Sequence, residues 1–142
     1  MSEGADTIED DDFEMSAPQP SEIPATPQQM RLAVAAAQDR KADALQVLNL
    51  SAVSDFTELF LICSGSNERQ VQAIADAIVE ELRRAGVRPL HVEGLQHGRW
   101  VLLDYGGDMV IHVFLDATRE FYALERLWSD APDETDRYVT ES

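Results

Sequence analysis

The feature that most constrains the fold is an apolar run at residues 57–64, Thr-Glu-Leu-Phe-Leu-Ile-Cys-Ser. Successive side chains of a strand point to opposite faces of its sheet, so a strand that is apolar almost throughout must be covered on both faces. The run therefore predicts a central strand of a sheet with helices packed over it. Such a layered arrangement is typical of the α/β class.

A helix is predicted directly after this strand. Asn67 and Gln70 have the spacing of a capping box, and apolar residues follow at helical intervals. These are Val71, Ile74, Ala75, Ile78, Val79 and Leu82. Arg83 and Arg84 stand in the last turn, where cations suit the helix dipole, and Gly86 suits the left-handed residue that ends a helix.

An earlier helix and strand are predicted from the same signals. Thr26 is the expected cap, Pro27 suits the first helical position, and Gln29 completes a second capping box. This helix is predicted to run to about Lys41. A strand is predicted at residues 44–50, so the chain begins with a helix and two strands.

Residues 99–105 and 109–115 are two predicted strands of a β-hairpin around Gly106-Gly107-Asp108. A three-residue loop places one fully apolar set on the same face, whereas a two-residue loop would put Asp104 beside Met109. We therefore expect three loop residues. The predicted core face holds Val101, Leu103, Tyr105, Met109, Ile111, Val113 and Leu115. The opposite face holds Trp100, Leu102, Asp104, Val110, His112 and Phe114.

Two more elements complete the predicted fold. Residues 88–93 read as a strand before the hairpin, and Asp116 can cap a last helix that ends before Pro132. The apolar residues of that helix are Phe121, Leu124, Leu127 and Trp128. The order α-β-β-α-β-β-β-α predicts an α/β sandwich with a mixed five-stranded sheet and helices packed on it.

Both ends of the chain are predicted to lie outside this domain, which we assign to residues 26–132. Residues 1–25 contain eight acidic residues, three prolines and no lysine or arginine. Such a composition cannot bury enough apolar surface to offset backbone entropy, so it predicts a disordered acidic tail. Residues 133–142 are again acidic and are expected to form a flexible tail.

Composition disfavours several classes of function. A formal net charge of −16 repels polyanions, so direct binding to nucleic acid is not expected. The single cysteine, Cys63, cannot form an intrachain disulfide, which fits a cytoplasmic protein. The N-terminus lacks the pattern of a secretory signal, and the apolar runs are far shorter than the ~20 residues of a membrane-spanning helix.

Catalytic motifs are not evident. Ser64-Gly65-Ser66 lies between a strand and a helix, but the lysine of a P-loop and the spaced glycines of a dinucleotide fold do not follow it. The element order also suggests nucleotidyltransferases, whose chemistry requires two carboxylates alternating on one strand. Asp104 and Glu93 each lack that second carboxylate, and the three histidines lack metal-ligand spacing. No catalytic residue, metal or cofactor is predicted.

The mixed face of the hairpin is the more informative group. Large aromatic side chains beside polar ones are enriched at protein interfaces, which favours a docking surface there. Alternatively, a helix of the same domain covers this face, and the residues alone leave both interpretations open. For Trp128 of the last helix, a core position is the default expectation.

Several motifs in order carry a resemblance to a known family. They are Val92-Glu93-Gly94, Trp100-Val101-Leu102-Leu103-Asp104-Tyr105-Gly106, Val110-Ile111-His112-Val113-Phe114 and Arg119-Glu120-Phe121-Tyr122-Ala123-Leu124-Glu125-Arg126-Leu127-Trp128. The match continues at residues 43–50, Asp55-Phe56, Ser64-Gly65-Ser66 and Gln70-Val71. Over about residues 27–132, the chain resembles the ribosomal silencing factor family, also called Iojap-like.

This resemblance implies a nucleotidyltransferase-like fold without the catalytic carboxylates, and a factor that is not an enzyme. It implies binding to the large ribosomal subunit through ribosomal protein fourteen, which blocks joining of the small subunit and represses translation. Relatives in organelles assist large-subunit assembly, and members can form homodimers. Two alternatives remain: a nucleotidyltransferase-like enzyme with an unrecognised site, and a homodimeric adaptor for ribosome assembly.

The resemblance also implies which residues face the partner. They are Trp100, Leu102, Asp104, His112 and Phe114 of the hairpin, supported by Arg119, Tyr122 and Glu125 of the last helix. The acidic charge is expected to favour the basic surface of a ribosomal protein over ribosomal RNA. This interpretation requires that the mixed face of the hairpin is open to solvent.

Overall fold

A mixed five-stranded sheet forms the centre of the protein, in a computed structural model that describes residues 25–139. Residues 1–24 of the predicted N-terminal tail lie outside the described residues. In chain order the elements are α1 (Ala25–Asp39), β1 (Asp43–Asn49), β2 (Leu59–Gly65), α2 (Glu68–Arg84), β3 (His91–Glu93), β4 (Trp100–Asp104), β5 (Met109–Leu115) and α3 (Asp116–Tyr122). Two short 3-10 turns follow at Leu124–Trp128 and Thr135–Arg137. The predicted fold class and element order are confirmed.

The strands are arranged in the order β1-β2-β5-β4-β3. β2 and β5 are parallel, and the other neighbouring pairs are antiparallel. Every residue of β2 is buried, as the continuous apolar run predicts. The two central strands therefore supply both faces of the sheet with buried side chains.

α1 and α2 cover the first face and form the main core with it. The predicted cap of α2 is present, since Asn67 Oδ1 accepts a hydrogen bond from the Gln70 amide at 2.8 Å. The helix ends as predicted, with Gly86 in the left-handed region at φ 83°. The buried face of α2 consists of Val71, Ile74, Ala75, Ile78 and Leu82.

The hairpin has the predicted register. Trp100 pairs with Phe114, Leu102 with His112, and Asp104 with Val110. This register leaves a three-residue loop, and it directs Val101, Leu103 and Ile111 into the main core. The division of the hairpin into a core face and a mixed face is thus confirmed.

Several element boundaries differ from the prediction, and two of the differences concern residues with a predicted role. β3 begins at His91, not at residue 88, because Pro89 has no amide hydrogen to donate to a strand ladder. α1 begins at Ala25, one residue before the predicted cap position. No helix in the described part of the chain is long and apolar enough to cross a membrane.

The predicted last helix is broken, which corrects the sequence analysis. α3 ends at Tyr122, Ala123 has the left-handed conformation (φ 47°, ψ 49°), and a 3-10 turn follows. Asp116 lies in the first turn of α3 but forms no side-chain cap. Two contacts account for the break: Arg119 with the Ala44 carbonyl, and Trp128 with Phe60. In a continuous helix these two side chains would point to opposite sides.

Residues 133–139 pack against the sheet, contrary to the expectation of a flexible tail. Asp133 bridges to Leu48 of β1, and the Glu134 amide donates to the Val47 carbonyl at 2.8 Å. The Val47 amide in turn donates to Thr135 Oγ1 at 2.9 Å. Tyr138 is buried in the main core. The packed region therefore extends to Val139. The acidic residues around Tyr138 led to the prediction of a flexible tail, although the Tyr138 ring is buried.

Candidate functional site

The second face of the sheet carries a smaller core of its own. The buried residues of this core are Leu48, Leu50, Phe60, Ile62, Val110, Phe114 and Ala131. Leu124 and Trp128 of the 3-10 turn pack against them, together with Trp100 and Leu102 of β4. We call Leu124–Trp128 the covering segment. Because it is short, it buries the middle of this face, while the residues of β4 stay partly exposed to solvent.

Contacting rings connect the sealed and open parts of this face. The Phe60 and His112 rings lie 4.8 Å apart, Trp100 lies 4.8 Å from Phe114, and Trp100 lies 4.9 Å from Tyr122. Trp128 closes the other end, 5.7 Å from Phe60. We call Phe56, Phe60, Trp100, His112, Phe114, Tyr122 and Trp128 the aromatic cluster.

His112 and Phe114 are buried, so the expectation that the whole mixed face is open to solvent is wrong. Phe114 has no exposed surface and His112 keeps only 7% of its own. Both belong to β5, which lies between β2 and β4 and is therefore covered by neighbours on both sides. These two residues support a surface from beneath and do not form it.

His112 is positioned to fix the indole of Trp100. Trp100 Nε1 donates a hydrogen bond to His112 Nδ1 at 3.1 Å. Burial lowers the pKa of His112 to about 4, so the ring is neutral near pH 7 and Nδ1 is free to accept. The hydrogen bond and the ring contact with Phe114 hold Trp100 in one orientation.

Four of the predicted residues remain accessible and adjacent. Trp100, Leu102 and Asp104 of β4 are half-buried, and Tyr122 of α3 is 54% exposed. Asp104 Oδ1 accepts a hydrogen bond from the Gly106 amide at 2.7 Å, which orients its carboxylate at the hairpin turn. We call Trp100, Leu102, Asp104 and Tyr122 the docking face.

Arg119 and Glu125 connect the covering segment to the sheet. Arg119 Nη1 donates to the Ala44 carbonyl at 2.7 Å and lies 3.4 Å from Ser64 Oγ. Its Nε lies 3.4 Å from Glu125 Oε2, and the arginine side chain keeps only 11% of its exposed surface. Arg119 therefore anchors α3 to the ends of β1 and β2. Its first role is structural.

Two exposed apolar residues of this segment, Phe121 and Leu127, were not predicted as candidate contacts. Phe121 is 81% exposed and Leu127 is 74% exposed, although both were predicted as apolar residues of one continuous helix. The left-handed turn at Ala123 lies between them. No glycine or proline marks the turn, so the local sequence gives no signal of it.

The loop between β2 and α2 is occupied by a side chain of the protein itself. The Ser66 amide, a group that could bind phosphate in a nucleotide site, donates to Gln70 Oε1 at 2.8 Å. Gln70 Nε2 in turn donates to the Lys41 carbonyl at 3.0 Å. An anion would have to displace Gln70 from both ends. This observation weighs against the nucleotidyltransferase alternative.

Other chemistry has little support in the described part of the chain. It contains no group of three or more His, Cys, Asp or Glu side chains that could hold a metal ion. Cys63 lies inside β2, where burial raises the pKa of its thiol to about 12 despite the opposing effect of Arg119. A thiol with such a pKa is a poor nucleophile at neutral pH.

Comparison with known proteins agrees with this picture. Residues 23–142 match the family model described as ribosomal silencing factor during starvation. The ribosomal silencing factor RsfS of Halalkalibacterium halodurans is 44% identical over 103 residues, which cover 72% of this chain and 87% of the relative. The factor of the same name from Bacillus subtilis is 41% identical, over 72% of this chain and 86% of the relative. A crystal structure of a Chromobacterium violaceum protein superposes with a TM-score of 0.70 at 35% identity, covering 72% of this chain and 84% of that one.

Proposed function

The chain belongs to the ribosomal silencing factor family, and from this premise we propose that it binds the large ribosomal subunit through ribosomal protein fourteen. The family name describes a ribosome-associated negative regulator, not an enzyme. In our proposal, the bound domain occupies the space that the small subunit must enter. Translation is repressed because the two subunits cannot join.

The docking face is the observation that carries the proposal. Trp100 and Tyr122 form a half-exposed aromatic pair 4.9 Å apart, backed by the buried rings of His112 and Phe114. An aromatic pair held rigidly in this way loses little side-chain entropy on binding, which is characteristic of interface hot spots. Leu102 and Asp104 add an apolar and a charged group beside it.

The charge of the protein supports a basic protein surface as the partner. The net charge is −16, and the exposed carboxylates of Asp116 and Glu120 lie on the same short helix as Tyr122. Electrostatic complementarity of this kind accelerates encounter and disfavours contact with RNA phosphates. We therefore expect affinity to fall as salt concentration rises. Equal affinity at low and high salt would contradict this electrostatic contribution.

Blocking by occupation needs no chemical step. A packed domain of this size is about 30 Å across, which is enough to prevent two rigid bodies from closing on one another. The amide of Ser66 is already bonded to Gln70, so a nucleotide requirement is not expected. The homodimer and the cytoplasmic location implied by the resemblance remain predictions.

Sedimentation of purified subunits tests the proposal. Large and small subunits are mixed with the protein, with and without ATP or GTP, and the fraction of joined ribosomes is measured. We expect suppression of joining that is independent of nucleotide. A requirement for nucleotide would favour the enzyme alternative. Comigration with assembly precursors but no effect on mature subunits would favour the assembly adaptor.

A matched pair of variants tests the docking face. Tyr122→Ala removes an exposed ring from the face, and we expect capture of ribosomal protein fourteen to weaken on the order of tenfold. Val53→Ala serves as the control, because Val53 is a 43% exposed apolar residue of the loop between β1 and β2 and does not belong to the docking face. Equal binding by both variants and the wild type would remove Tyr122 from the contact.

A further inference from the structure

The left-handed turn at Ala123 is imposed by contacts elsewhere in the protein, not by the local sequence. This conformation is disfavoured for a residue with a Cβ atom, and Gly or Asn usually occupies it. Alanine has the highest helix propensity, and Leu124, Glu125 and Arg126 also favour helix. The local sequence thus favours one continuous helix from α3 to Trp128, as the sequence analysis predicts.

Two contacts on the same side of the segment exclude that continuous helix. Arg119 is bonded to the Ala44 carbonyl at 2.7 Å, and Trp128 packs on Phe60 with ring centroids 5.7 Å apart. Trp128 is nine positions after Arg119. At 100° per position, the two side chains would point to opposite sides of a continuous helix. Only the broken form lets both side chains reach the body of the protein.

The break also decides where Phe121 points. In a continuous helix Phe121, Leu124 and Trp128 would share one face, at positions i, i+3 and i+7. In the broken form Leu124 and Trp128 pack on the sheet, while Phe121 is 81% exposed and lies 5.0 Å from the ring of Tyr122. The turn therefore moves a large apolar side chain from the covered side to the docking face.

We propose that Arg119 is a latch for the broken form, and that this form is the one recognised by the large-subunit protein, with Phe121 as an additional apolar contact. The inference rests on the proposed function and adds a conformational requirement to it. We expect the partner patch to combine an apolar site with nearby cations, because Phe121 and the exposed carboxylates of Asp116 and Glu120 lie on the same short helix. In the continuous form Phe121 is withdrawn and the partner loses this contact.

Ala123→Gly tests the turn without touching either anchor. Glycine adopts the left-handed conformation without strain and is a poor helix former, so it favours the broken form on both counts. We expect Tm to rise by roughly 4 °C and binding to immobilised large subunits to be unchanged or a few-fold tighter. A lower Tm, or binding weakened by more than about threefold, would overturn the proposal.

Arg119→Met tests the latch itself. We expect helix content measured by circular dichroism to increase and affinity for large subunits to fall at least tenfold. The double variant Arg119→Met with Ala123→Gly should regain most of the lost affinity, since glycine restores the turn. Arg126→Met is the control, because it removes an exposed arginine of the same segment. Wild-type binding by Arg119→Met, or no rescue in the double variant, would refute the latch.

Failure of the latch can be distinguished from failure of the proposed function. If the wild type does not bind large subunits, the function is wrong, while helix content and Tm still report on the turn. If the wild type binds and Arg119→Met does not fold, the Ala123→Gly result decides the question. Replacing Phe121 with Ser, without change in Tm or helix content, should weaken binding about tenfold if the exposed ring is a contact.

Discussion

Trp100 and His112 are diagonal neighbours on one face of the β4–β5 pair, where Trp100 pairs with Phe114 and His112 with Leu102, and Trp100 Nε1 donates a hydrogen bond to His112 Nδ1 at 3.1 Å. The indole is half-buried, whereas the imidazole beneath it is buried. The exposed aromatic surface of this protein is thus oriented by a residue that a partner cannot touch. Because protonated His112 cannot accept this hydrogen bond, the orientation of Trp100 on the docking face depends on pH.

Protonation of His112 is expected to destabilise the fold. Burial holds its pKa at about 4 in the folded protein, below the ordinary value of 6.5, so the unfolded chain binds the proton more tightly. The stability from this group is present above pH 6.5 and is lost as pH falls towards 4, by on the order of 3 kcal/mol. His112→Asn can still accept from Trp100 but does not titrate. Chemical denaturation between pH 7 and 4 should show a shallower loss of stability for this variant than for the wild type.

The control for that experiment is His97→Asn, which replaces an exposed histidine. It should retain the pH dependence of the wild type. Identical pH dependence of stability in the wild type and His112→Asn would mean that protonation of His112 does not destabilise the fold.

Trp100 is expected to contribute to both binding and stability. Trp100→Ala removes the ring that contacts Phe114, His112 and Tyr122. We expect a loss of about 2 kcal/mol in unfolding free energy and, separately, ~30-fold in affinity for large subunits. Trp100→Phe keeps an aromatic ring at this position but loses the hydrogen bond and part of the ring surface, so it should cost less than Trp100→Ala, about 1 kcal/mol. A folded Trp100→Ala protein with normal binding would contradict the proposed docking face.

Gly94 is required where β3 turns towards β4. Its φ is 81°, and a Cβ atom built there would collide with the carbonyl oxygen of Trp100. Gly94→Ala should therefore destabilise the protein by at least about 2 kcal/mol and disturb the docking face through Trp100. Gly107→Ala in the hairpin loop is the matched control, since nothing lies within 4 Å of the added atom. Thermal unfolding that shows equal Tm values for the two variants would rule out this steric requirement.

The segment after Pro132 is predicted to be part of the folding unit. A chain that stops at Pro132 loses the buried ring of Tyr138 and the hydrogen bonds to Val47. Removal of the ring alone should cost about 3 kcal/mol. A chain that stops at Val139 keeps these contacts and should have the wild-type denaturation midpoint. The same midpoint for both truncations would show that the segment does not stabilise the domain.

Most of the fold could be predicted because its signals are local. The apolar run of β2, the cap at Asn67 and the two-face pattern of the hairpin each specify one element and its orientation. What could not be predicted depends on contacts between distant residues. The break at Ala123 satisfies Arg119 and Trp128 together, and the packing of Tyr138 requires a space that only the folded sheet and α1 provide.

The candidate site could also be predicted only in part. The alternation along β4 and β5 assigns Trp100, Leu102 and Asp104 to one face, and the structure places them there. β5, Met-Val-Ile-His-Val-Phe-Leu, is apolar almost throughout, as β2 is, but it was interpreted only as one strand of a two-faced hairpin, so the burial of His112 and Phe114 was missed. Phe121 was missed for a related reason, since its exposure follows from the turn and not from its helical position.

The two edges of the sheet limit how the molecule can associate with others. The free edge of β1 is occupied by residues of the same chain, through Asp133 and Thr135, and β3 ends the other side after three residues. Long rows of unpaired amide groups are what recruit strands from foreign chains into aggregates. With neither edge offering such a row, the sheet gives a second copy of the chain little opportunity to add a strand, so the described domain is protected from edge-to-edge polymerisation.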